Sequence, residues 1–68
     1  MTNEAYQIWE TFKAELTQPA TDDMKQALGN AIRVISSHIH RDGVLSNEPW
    51  LTHTAQELNE IADDVEAL

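Results

Sequence analysis

Chemistry in this chain would have to come from three histidines, two adjacent serines and a set of carboxylates, because there is no cysteine. His38, His40 and Asp42 form an H-x-H-x-D string whose residue types suit a divalent metal. Within a helix, however, residues two apart diverge by about 200°, so His38 and His40 chelate one ion only if the helix has unwound there. His53 lies four residues before Glu57 and is placed for a local contact with it. No metal site and no cofactor is expected.

Ser36-Ser37-His38 sets hydroxyls beside an imidazole, yet adjacent helical positions supply neither an oxyanion hole nor a shielded cleft. A Gly-rich phosphate loop, a G-x-S-x-G elbow and an H-E-x-x-H pair are all missing from the sequence. Acid pairs are plentiful, but a general acid needs a pocket that raises its pKa. The expectation is a protein without catalytic residues that is not an enzyme.

The carboxylates are the stronger signal. The chain has 12 Asp plus Glu against 4 Lys plus Arg, a net charge of -8 over 68 residues. From Ser46 onward there are acids at Glu48, Glu57, Glu60, Asp63, Asp64 and Glu66 and no Lys or Arg. Helical spacing puts Glu57, Glu60 and Asp64 in one stripe with Asp63 flanking it. Like charges three and four residues apart each cost a few tenths of a kcal/mol. Acids near a helix C-terminus also oppose its dipole. A basic partner would turn both penalties into attraction. The expected partner-binding residues are therefore Glu57, Glu60, Asp63 and Asp64, joined by Trp50 and Tyr6. Trp50 either folds back on Val44 or Leu45 as a staple or stands out as an interface anchor. Tyr6, on the rim beside Trp9 and Lys13, is placed to receive a partner's cation.

The same charge excludes other partners. Lys13, Lys25, Arg33 and Arg41 are too few to build a cationic surface for phosphates, so neither direct nucleic-acid binding nor an anionic membrane surface is expected. The first residues lack the basic and apolar regions of a signal peptide, and no apolar run approaches the roughly 20 residues of a membrane span. A cytoplasmic location is the expectation.

The elements that must carry these residues are helical. Ala5, Ile8, Trp9, Phe12 and Leu16 follow i, i+3, i+4 spacing, with Trp9 and Phe12 expected in the core. Pro19 stops that helix. Thr21 caps a second, in which Met24, Ala27, Leu28, Ala31, Ile32, Val34, Ile35 and Ile39 fill an arc of roughly 160°, wide enough for neighbours on two sides. Gly43 is expected to make a left-handed turn after it, and Gly29, mid-helix on the polar side, either marks a close approach by another backbone or, as the preferred reading, is a tolerated surface glycine. Ser46 or Asn47 opens a third helix with Pro49 in its first turn and Leu51, Ala55, Leu58, Ile61, Ala62 and Val65 on its apolar face. The expected fold is all-α: one domain over 1-68, a small antiparallel three-helix bundle with helices near 3-17, 22-41 and 47-66, closed on itself or completed by homodimerisation. A chain this short buries only about 60% of its unfolded surface, which makes a shared core attractive.

These readings lead to a small acidic non-enzymatic protein-binding module. Its expected partner is a basic, nucleic-acid-binding protein, which it regulates or inhibits by phosphate mimicry, as small accessory proteins of phages and mobile elements of this size and charge do by analogy. The alternative is a homodimeric helical structural or assembly protein whose acidic face only confers solubility, with Leu58 and Ile61 at the contact.

Overall fold

The computed structural model describes residues 3-68. Three helices account for most of them, with no strand among the described residues: α1 (Asn3–Ala14), α2 (Asp22–Leu45) and α3 (Pro49–Ala67). No helix there is long and apolar enough to cross a membrane.

Helix α1 stops three residues earlier than its apolar spacing suggests. Pro19 disfavours helical backbone at the residue before it. The chain tightens ahead of that point, with the Glu15 and Leu16 amides donating to the Phe12 and Lys13 carbonyls three residues back (3.2 and 3.1 Å). Helix α2 begins at a β-region Thr21 whose Oγ1 accepts from the Met24 amide at 3.3 Å, with Asp22 and Asp23 in its first turn.

The far end of α2 corrects the sequence reading. The helix runs through Arg41, Asp42 and Gly43 to Leu45, and the left-handed residue is Asn47, at φ 54. The Glu48 amide donates to the Gly43 carbonyl (2.9 Å) and the Asn47 amide to that of Val44 (3.3 Å), the paired bonds of a Schellman end. Ser46 and Asn47 thus close α2 rather than open α3, which starts from Glu48 without a side-chain cap and with Pro49 in its first turn.

Gly43 stays helical because α3 lies against it. A Cβ there would sit 2.8 Å from Leu51 Cβ and 3.1 Å from the Thr52 amide nitrogen. Gly29 is also buried, with a Cβ meeting Glu66 Cγ at 2.7 Å, so it is not a surface glycine. Between them Ser36 is buried and donates through Oγ to the Ala55 carbonyl at 2.6 Å. Gly29, Ser36 and Gly43 are seven residues apart, as are buried Ala55 and Ala62 on α3. This small-residue seam lets the two backbones approach closely.

Helix α1 lies mainly against α3, and its contact with α2 is slight. The core cluster is Ala5, Ile32, Ala62 and Val65, with Ile8, Leu28, Leu58 and Ile61 packed against it. Trp9 is buried, while Phe12 stacks on it half-buried, 5.7 Å between centroids. Only one side of α2 is therefore occupied, and Ala27, Ala31, Val34 and Ile35 are exposed. The molecule measures 42 × 20 × 16 Å with a radius of gyration of 13.2 Å, against about 11 Å for a compact chain of this length.

Candidate functional site

The five acids within α3 divide into two sets. On one flank of the α2–α3 pairing, Arg33 reaches across to two carboxylates. Its Nη2 donates to Asp63 Oδ1 (2.5 Å) and Glu66 Oε2 (2.8 Å), and its Nη1 donates to Glu66 Oε1. Gln26 Nε2 adds a bond to Glu66 Oε1 at 3.1 Å. Hydrogen bonding to the Arg33 guanidinium holds the Glu66 carboxyl below its ordinary value, and the same contacts raise the arginine. The helix-terminal acids thus have compensation inside the chain, supplied by a residue 30 positions from Asp63 and 33 from Glu66. Asp63 consequently differs from the other acids expected to bind a partner, Glu57, Glu60 and Asp64.

Glu57, Glu60 and Asp64 form the other set. Glu57 accepts a contact from His53 Nε2 at 2.9 Å, the local pairing expected from their spacing. Glu60 is exposed and Asp64 half-buried, and among the described residues no Lys or Arg lies within ion-pair reach of any of the three. The helix rises about 1.5 Å per residue, so the stripe extends about 10 Å along α3.

The two aromatic candidates are exposed, Tyr6 at 57% and Trp50 at 65%, but they stand on different helices. Trp50 does not act as a buried staple, since Val44 and Leu45 are themselves exposed. It is Trp9, rather than Tyr6, that receives cations within the chain. Lys13 and Lys25 both stand with Nζ 5.7 Å from its ring centroid, while pairing with Glu10 and Asp22.

An open polar cleft of about 650 Å³ lies between α2 and α3, lined by Ser36, Ser37, His40, His53, Gln56 and Asn59 among others. Neither serine is joined to a histidine. Ser36 Oγ donates to Ala55 O, and Ser37 Oγ to Arg33 O at 3.0 Å. His38 lies outside the cleft and its Nδ1 accepts from Arg41 Nη2 at 3.1 Å. Among the described residues no group of three or more His, Asp or Glu is placed to hold a metal.

Compared with known protein families, curated proteins and solved structures, the chain matches none.

Proposed function

We propose that the protein is a non-enzymatic protein-binding module, an antiparallel three-helix unit whose outer α3 face docks on a basic, nucleic-acid-handling protein and occupies its phosphate-binding surface. The observation that carries this reading is the division of the α3 acids. Asp63 and Glu66 are taken up by Arg33, whereas Glu57, Glu60 and Asp64 remain as a stripe with no Lys or Arg beside it among the described residues. Such a stripe offers carboxylates at helical intervals to a surface built for phosphates, and steers a cationic partner by long-range attraction. Trp50 and Tyr6 supply exposed aromatic surface for the docked partner.

The test is affinity capture from the native host's lysate at low and at high salt. A basic partner should be retained at low salt, released at high salt, and lost when Glu57, Glu60 and Asp64 are all changed to Gln. Asp63→Asn should disturb the Arg33 pairing while leaving capture largely in place. Undiminished capture by the folded triple variant overturns the reading.

A further inference from the structure

A second heptad pattern runs along α2 on the side away from α3. Met24, Ala27, Ala31, Val34, His38 and Leu45, with Arg41 completing the series, alternate by three and four residues over the whole helix. Val34 is 58% exposed and Leu45 78%, and Ile35 beside them is 54% exposed. Apart from half-buried Met24, every residue of this line is exposed, because the small-residue seam that faces α3 lies on the opposite side. We propose that it is the contact between two copies of this chain, with α2 packed antiparallel on α2 of the second copy about a two-fold axis near residue 32.

Charge selects both the occupant and the direction. At -8 per chain, two copies repel wherever acids face each other, and this line carries no Asp or Glu. Arg41 is the one of the four Lys and Arg residues with no carboxylate in ion-pair reach among the described residues. Asp23, in the first turn of α2, likewise lacks a cation there. Asp23 and Arg41 are 18 residues apart, which is five whole helical turns, so they occupy the same flank at opposite ends, about 27 Å from one another. They cannot meet within one chain. In an antiparallel pair centred midway between them, each Asp23 meets the other copy's Arg41, twice over. Asp42 lies on the other flank, level with Asp22 of the second copy, which by helical phase faces away from the contact line and pairs with Lys25 of its own chain, and the helix dipoles are also opposed.

The areas agree. A 24-residue helix is about 36 Å long. Laid along its copy with Ile35 alongside, it buries on the order of 600 Å² per chain, close to the roughly 1,200 Å² total at which specific interfaces begin. The accessible surface of 4772 Å² already exceeds the roughly 4,300 Å² of a compact monomer of 7.7 kDa. Leu58 and Ile61 pack inward on the core cluster, so the contact is on α2 and not on α3. The proposal does not rest on the acidic stripe, which stays exposed in such a pair.

Sedimentation equilibrium on the full chain, from micromolar to about half-millimolar, tests it. The expected mass is twice 7.7 kDa at the upper concentrations, and Val34→Lys should give single chains with helix content unchanged by circular dichroism. Asp23→Arg and Arg41→Asp should each weaken self-association by about tenfold, since two attractions become two repulsions. Mixed together, these two variants should associate as tightly as the original chain, because both cross pairs are then opposite in charge. Single chains at every concentration, or a dimer indifferent to Val34→Lys, would overturn the proposal. So would a mixture of the charge variants no tighter than either alone.

Discussion

Glu66 sits where two constraints meet: it fills the space above Gly29 and it accepts from Arg33 and Gln26. Its carboxyl is held below the ordinary glutamate value of about 4.3 by the guanidinium. As pH falls, the unfolded chain therefore binds a proton before the folded one does. The contribution is fully present above about pH 5 and is lost as pH drops through the lowered folded-state value. In urea titrations from pH 6 to pH 3, the advantage of the original chain over Glu66→Gln should shrink steadily with acid. An advantage that grows with acid would contradict the pairing. The two seam glycines separate residue identity from backbone preference. Ala is favoured over Gly in a helix by up to about 1 kcal/mol, but at Gly43 the added Cβ meets Leu51 Cβ and the Thr52 backbone, neither of which can turn aside. Gly43→Ala should destabilise by about 1–3 kcal/mol. Gly29→Ala, opposed only by the end of a flexible glutamate, should cost less and should weaken the pH dependence assigned to Glu66. Chemical denaturation of the two variants measures both.

At the scale of elements, helix starts were easier to read than helix ends. Thr21, followed by two acids, and Pro49, with its missing amide, act through backbone chemistry within one turn. Local chemistry places the end of α2 at Arg41, because Gly43 is the residue type that most readily turns left-handed. Tertiary contact reserved that glycine for α3 and left the turn to Asn47, among the few other residue types that tolerate it. Asn47→Ala should destabilise by about 1 kcal/mol, whereas a change at exposed Ser46 that keeps the backbone path should be nearly neutral; thermal midpoints decide this. The α2–α3 seam is invisible to apolar spacing for a related reason. Counting apolar residues passes over Gly29, Ser36 and Gly43, although spacing by sevens was present in the sequence and is the signal that finds them. The apolar arc of α2 suggested two neighbours, but the closest packing followed the smallest side chains.

For the whole molecule, net charge and shape act together. Self-repulsion among 12 acids should be relieved by salt, so the thermal midpoint should rise between about 10 mM and 150 mM NaCl as the screening length shortens from about 30 to 8 Å. Replacing Glu57, Glu60 and Asp64 by Gln should flatten that rise, because these are the α3 acids without an internal Lys or Arg partner among the described residues. A triple variant with an unchanged salt response would place the repulsion elsewhere on the chain.

The sequence alone determined the helical class, the three segments and the concentration of acid on the last one. Those properties depend on spacing along the chain, on proline and capping chemistry, and on counting charges, all local quantities. Tertiary structure decided which acids stand without an internal cation, because Arg33 reaches Asp63 and Glu66 from another helix. It also decided which part of the α2 apolar arc stays uncovered, because a seam of Gly, Ser and Ala draws α3 to one side and α1 settles against α3. Both outcomes depend on which side chains are small enough to let two backbones meet, and hydrophobic periodicity does not register size.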